Sequence, residues 1–265
     1  MKQPPRSLGT RLHMFTGTLL LCAIAAVAAP PSPAPCVPDA KTVLLLHLDG
    51  DTADASTYNR TGLAETLTFV NDGVINQALH LDGKTQTTIP AKNQPDLSAG
   101  FTVEAWLRFP RPESPRFGHV IELPGTFSWA INTYERGRAK IDFAVQTSEG
   151  RATMKTVEYI PCSIWVHVAC RYDPEAAPKE RLSLFVNGLH TDRLTRYQAR
   201  TVPAGKLSTP SSELVLGRGF VGDIDELRVS AIARPQADLA GCWLSGVSCV
   251  FDREATLWTA QPKRP

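Results

Sequence analysis

The sequence predicts an all-β fold, an antiparallel sandwich, and three observations predict it. Apolar and polar residues alternate with period two along short runs from Val43 to Ser230. Asp-Gly, Asn-Gly and other glycine-containing turns separate those runs, and such pairs supply the positive φ angles of tight connections. No window keeps a helical period for more than two turns; residues 231–239 come nearest, and Pro235 interrupts them. About twelve short strands on roughly 190 residues, without crossover helices, internal repeat or zinc-ligand spacing, fit two packed antiparallel layers.

In chain order, the first element is an address. Residues 1–13 carry Lys2, Arg6 and Arg11 and no acid, residues 14–29 are apolar, and Ala26-Val27-Ala28 supplies the small-x-small cleavage pattern. Residues 1–28 are therefore expected to be a signal peptide, the apolar run being shorter than the roughly 20 residues that span a bilayer. Residues 29–41 hold five prolines and read as an extended linker. Residues 42–232 form the predicted domain and 233–265 a cysteine-containing extension.

Within the domain, residues 101–109 place Phe101, Val103, Ala105, Leu107 and Phe109 on one face and Thr102, Glu104, Trp106 and Arg108 on the other. Residues 141–145, 165–172 and 182–187 alternate in the same way. Asp82-Gly83 divides 77–81 from 86–89, Ser148-Glu149-Gly150 divides 141–146 from 152–159, and residues 135–138 divide 127–133 from 140–146. Asn187-Gly188 closes another strand.

Charge narrows the partners. The chain has 28 basic and 26 acidic side chains, and loss of residues 1–28 removes three basic ones and no acid, leaving 25 against 26. Such a balance offers no field for nucleic acid or an anionic membrane. With 43% hydrophobic residues the chain can fill a core.

Six motifs, in order, resemble the laminin-G-like family of concanavalin A-type jelly rolls. They are Leu45-Leu46-His47-Leu48-Asp49-Gly50 with Ala53-Asp54-Ala55-Ser56; Gln77-Ala78-Leu79-His80-Leu81-Asp82-Gly83; Phe101-Thr102-Val103-Glu104-Ala105-Trp106; Trp165-Val166-His167-Val168-Ala169-Cys170-Arg171-Tyr172-Asp173; residues 182–188; and residues 222–228. The resemblance implies a jelly-roll sandwich that binds carbohydrate or an extracellular or cell-envelope protein, in some relatives with calcium. The acidic loop departs from the family by running on as Ser56-Thr57-Tyr58-Asn59-Arg60-Thr61-Gly62.

Calcium takes six to eight oxygen ligands. Asp49, Asp51 and Asp54 lie on one loop after the first strand and Asp225 lies on the last, strands that are neighbours in a jelly roll. Asp49, Asp54 and Asp225 are the candidate Ca2+ ligands, with backbone capping as the competing role. Asp225 is read as sharing a face with Leu227 and Val229, where an unpaired carboxylate is costly. Retaining glucan hydrolysis needs paired carboxyls about 5 Å apart; the nearest approach to the E-x-D-x-E pattern of enzymes on this fold is Asp223-Ile224-Asp225-Glu226-Leu227, with Leu in place of the third acid. Trp106 is the candidate sugar-stacking ring, and His167 reads as a packed strand residue.

Among the cysteines, Cys22 leaves with the signal. Cys162 and Cys170 would lie roughly 17 Å apart on an extended strand, too far to bridge. Cys242 and Cys249 are the candidate disulfide, with Cys36 a competitor for either. The reading is a secreted or periplasmic, non-catalytic binding module without a membrane span after cleavage. A glycan-active hydrolase or lyase and a structural envelope protein without a small ligand are the alternatives.

Overall fold

A computed structural model describes residues 34–60, 66–91, 95–134, 137–156, 159–190, 205–208, 213–239, 247–252 and 257–262. The signal and the first part of the linker lie outside these residues. Among the described residues no helix is long and apolar enough to cross a membrane.

The strands are β1 Thr42–Leu46, β2 Thr68–Val70, β3 Ala78–Asp82, β4 Thr87–Ile89, β5 Phe101–Arg108, β6 Arg116–Leu123, β7 Phe127–Tyr134, β8 Arg138–Thr147 and β9 Gly150–Lys155. They continue with β10 Ile160–Pro161, β11 Val166–Tyr172, β12 Leu182–Val186, β13 Leu189–His190, β14 Leu214–Leu216 and β15 Val221–Ser230. A single helical turn, α1 Gln236–Leu239, starts directly after Pro235, whose carbonyl accepts the Asp238 N–H. Among the described residues, strands β16 Val247–Asp252 and β17 Leu257–Pro262 pair with each other in a sheet of their own.

The first sheet runs β13-β12-β11-β5-β15-β3-β2, with β1 also on β15; the second runs β10-β8-β7-β6-β14-β4, with β9 on β8. All strand pairs within the sheets are antiparallel, and the first and last strands of the sandwich are neighbours, as the jelly-roll reading requires. Asn187 (φ 50°) and Gly188 (φ 72°) make the two-residue hairpin between β12 and β13. The Asp82-Gly83 turn is different: it carries the chain from β3 in one sheet to β4 in the other, so the two runs that it divides never pair.

The core lies between the sheets. Phe101 from the first sheet stacks on Phe127 from the second at 4.8 Å, meets Phe143 edge-on at 6.0 Å, and neighbours Tyr172. Trp129, Leu107, Val168 and Leu184 are fully enclosed around them. Loss of one such ring costs about 3–5 kcal/mol.

One strand departs from simple alternation. Opposite β5, Asp225 pairs with Trp106 and Arg228 with Glu104, so β15 carries one residue more than its partner. Glu226 takes that extra place with φ 52°. The bulge turns Asp225 to the outward side while Leu227 and Val229 stay in the core. Asp225 therefore does not share a face with them, as unbroken alternation predicted.

The outward face of the first sheet is covered over its central strands. Leu45 packs on Cys36, and Ala169 and Phe185 pack on Leu239. Arg234 ties the cover down: Nη1 and Nη2 each donate to an Asp39 carboxylate oxygen at 2.8 Å, Nε donates to Ser230 Oγ, and the main-chain N–H donates to Thr102 Oγ1. Cys36 is disulfide-bonded, whereas Cys162 and Cys170 are free; that they do not bridge each other is what their separation predicts. Cys242 and the side chain of Cys249 lie outside the described residues.

Candidate functional site

The acidic positions do not converge as a set of three. Asp54 serves its own loop: Oδ1 accepts the N–H groups of Leu45 (3.0 Å) and Ser56 (2.9 Å), and Oδ2 accepts that of Arg60 (2.8 Å). Asp51 likewise caps Ala53. Among the described residues no group of three or more His, Cys, Asp or Glu side chains is placed to hold a metal ion.

Asp49 and Asp225 do come together. Asp49 accepts from the Gln77 N–H and from Asn76 Nδ2, each at 3.0 Å, while Asp225 Oδ2 accepts from the N–H groups of Val74 (2.7 Å) and Ile75 (2.9 Å). The 73–77 loop is thus threaded between the two carboxylates. Asp225 is fully buried, its Oδ1 has no hydrogen-bond partner, and burial pushes its carboxyl up to about 7, with Glu226 and Asp49 adding to the rise. Burial likewise raises Glu226, whose two oxygens meet the Cys36 N–H (2.7 Å) and His47 Nδ1 (2.8 Å). An orphaned buried carboxylate oxygen that feels a second carboxylate is compatible in chemistry with a hard cation.

Trp106 sits on the outward side of β5 as alternation predicts, but that face is the covered one. Trp106 is 6% exposed, with its ring set edge-on to His167 at 5.4 Å, so it offers no open face to a sugar. Beside it, Arg228 Nε donates to Glu104 Oε1 at 2.7 Å, and His167 Nε2 stands 3.3 Å from Glu104 Oε2. His167 is a packed strand residue. Asp223 is held by Arg108 Nε (2.8 Å) and His80 Nδ1 (2.7 Å).

The outward face of the second sheet is open and polar. Ser128, Ala144 and Thr153 form one row across β7, β8 and β9, and His119, Ala130, Asp142 and Lys155 form the next. At its end lies a cleft of about 250 Å3 lined by His119, Glu122, Ser128, Gln146, Arg151 and Arg218 among others, with Gly125 and Ala144 leaving space between them. Arg218 Nη2 donates to Glu122 Oε2 at 2.6 Å, and Arg151 reaches Ser128 Oγ at 3.4 Å. Phe117 stands next to the cleft, half exposed and edge-on to His119 at 5.0 Å. Burial lowers the affinity of His119 for a proton, and Arg218 and Arg151 lower it further against the pull of Glu122. Sequence reasoning missed this cleft. Alternation places Ser128, Ala144, Gln146 and Arg151 outward, but only the strand order brings them beside Glu122 and Arg218.

The family model described as the concanavalin A-like lectin/glucanases superfamily matches residues 81–240. No curated protein matches the chain. Among solved structures, domain 4 of AbnA, a GH43 extracellular arabinanase from Geobacillus stearothermophilus determined with arabinotriose, is 19% identical at a TM-score of 0.55, over 76% of this chain and 98% of that one. The binding domain of botulinum neurotoxin DC, in complex with SialylT, is 11% identical at a TM-score of 0.57, over 78% of this chain and 53% of that one. The binding domain of Paraclostridial Mosquitocidal Protein 1 is 14% identical at a TM-score of 0.55, over 75% of this chain. The chain spans about half the length of these toxin domains.

Proposed function

The chain belongs to the concanavalin A-like lectin/glucanase superfamily, and from that premise we propose that it is a secreted, non-catalytic module that binds carbohydrate through the outward face of its second sheet. One observation carries the reading: the centre of the first sheet's outward face is covered by its own chain, whereas the second presents a cleft with hydroxyl, amide and guanidinium donors beside a half-exposed ring. The arabinotriose-bound arabinanase domain and the SialylT-bound toxin domain, alike in fold, support a sugar as the partner. A Ca2+ ion against Asp225 Oδ1 and Asp49 belongs to the same reading as a structural ion that would hold the 73–77 loop to β15.

Calorimetric titration of the purified protein with a panel of neutral and acidic oligosaccharides tests the binding. At least one should bind, and Ser128→Ala combined with Gln146→Ala should weaken it about tenfold. No binding across the panel, or release of reducing ends from it, overturns the proposal. For the ion, EDTA should lower the melting temperature, calcium should restore it, and Asp225→Asn should abolish the difference; an unchanged melting temperature in wild type removes calcium from the reading.

A further inference from the structure

The charges around the cleft say which class of sugar it takes. Four ionisable side chains face it: His119, Glu122, Arg151 and Arg218. Glu122, largely buried beneath Arg218, neutralises that guanidinium through the 2.6 Å contact, while Arg218 itself stays 52% exposed with donors left over. His119 Nδ1 lies 3.3 Å from Glu122 but makes no hydrogen bond with it, and the ring is kept neutral by burial and by the two arginines. In the adjoining row Asp142 Oδ2 accepts from Lys155 (3.1 Å) and Asn132 (2.6 Å), so its charge is matched by that lysine, although its buried Oδ1 has no hydrogen-bond partner among the described residues. Arg151 is left. It is exposed on β9, and among the described residues its guanidinium makes one hydrogen bond, the long one to Ser128 Oγ.

We propose that this cleft recognises a saccharide carrying a carboxylate, with Arg151 as the principal anion-binding residue and the free donors of Arg218 facing it. The inference rests on the carbohydrate reading above and narrows it to acidic sugars. A guanidinium presents paired N–H donors that match a planar carboxylate. One uncompensated cation over a neutral floor suits one charge per bound residue. A densely sulfated chain would call for several unpaired cations along its track; beside the cleft Lys155 pairs with Asp142 and Arg218 with Glu122, and the cations on β8 without an acidic partner among the described residues, Arg138 and Lys140, lie at the far end of that strand over the Tyr159 ring. Gly125 and Ala144 leave room beside the cation for a pyranose ring, since a Cβ built at Gly125 would meet nothing within 4 Å.

The test uses the full chain with three probes of equal length: oligogalacturonate, its carboxyl-reduced galactose counterpart, and a sulfated galactan. Calorimetry should give the tightest binding to oligogalacturonate, about tenfold over the reduced probe. Arg151→Ala should remove that preference with an unchanged melting temperature, because Arg151 holds nothing in the core, and Arg151→Lys should restore part of it. Raised salt should weaken the acidic probe selectively. Equal binding of the acidic and reduced probes, or an Arg151→Ala variant that keeps the preference, overturns the inference and leaves the carbohydrate reading standing. Tighter binding of the sulfated probe overturns the carboxylate assignment. Binding of no saccharide removes both.

Discussion

Removing the carboxylate of Glu104 strips the acceptor from a cation that has little else. Glu104 is 1% and Arg228 5% exposed, and Arg228 donates to Glu104 Oε1 through Nε at 2.7 Å with Nη2 close by. Its other contact among the described residues is a 3.4 Å approach to the Asp238 carbonyl. In Glu104→Ala most of that guanidinium is buried without an acceptor, and His167 loses its neighbour as well. Breaking a buried pair from one side costs about 3–5 kcal/mol, a third or more of the stability of an ordinary domain. At this size the melting temperature should fall by roughly 10 °C. Urea unfolding at neutral pH measures the loss, and the double variant Glu104→Met with Arg228→Met should recover most of it, since the charge leaves with its partner. Burial pushes the Glu104 carboxyl up, but His167 and Arg228 more than offset this and hold it below its usual value. The pair's contribution is therefore complete above the unfolded-state value and lost as pH falls through the folded one. A single variant within 1 kcal/mol of wild type, or a double variant no better than the single, would refute the reasoning.

Three further outcomes are expected. Arg234 holds Asp39 well below the usual carboxylate range, so the stability this clasp supplies is present above about pH 4 and drains away in stronger acid; Asp39→Asn should cost about 1 kcal/mol at neutral pH and flatten the acid limb, and parallel acid limbs would count against it. A Cβ at Gly118 would lie 2.4 Å from both the Gly219 oxygen and Phe220 Cα, which are backbone atoms, so Gly118→Ala should destabilise by about 1–3 kcal/mol in urea titration and disturb the loop that carries Arg218; a neutral substitution would mean that the loop moves freely. Cys170 is fully buried with its thiol pushed well above the ordinary value, and burial raises half-buried Cys162 to about 11, so neither should react quickly with Ellman's reagent until the protein is denatured. Rapid native labelling mapped to Cys170 by mass spectrometry is the contrary result.

Much of the architecture was legible because burial imposes period two wherever a strand has one face in the core. Strands β5, β8, β11 and β12 follow their alternation without a break, and the order of the six motifs points to the family whose model matches residues 81–240. Alternation failed at Glu226, where a residue inserted at positive φ rotated Asp225 away from Leu227. Nothing local marks that bulge, because a polar Asp-Glu pair in a strand reads the same with or without it. Trp106 was placed on the correct face and given the wrong surroundings, since a tertiary cover contributed by residues 34–41 and 231–239 leaves no periodic trace on β5. Asp54 is by sequence a candidate ligand with backbone capping as the competing role, because an acidic loop looks alike whether its oxygens face a cation or three amide hydrogens; the structure shows the amides. The cleft depends on residues from β6, β7, β8, β9 and the loop after β14, and no single stretch of sequence contains it.

The clasp of Arg234 on Asp39 has a practical reading for anyone who displays this protein on a bead or fuses it to a cargo. Both segments leading toward the chain's ends lie on the side opposite the cleft. A label fixed to an exposed residue of either segment, such as Val37 or Asp238, would therefore leave that mouth unobstructed.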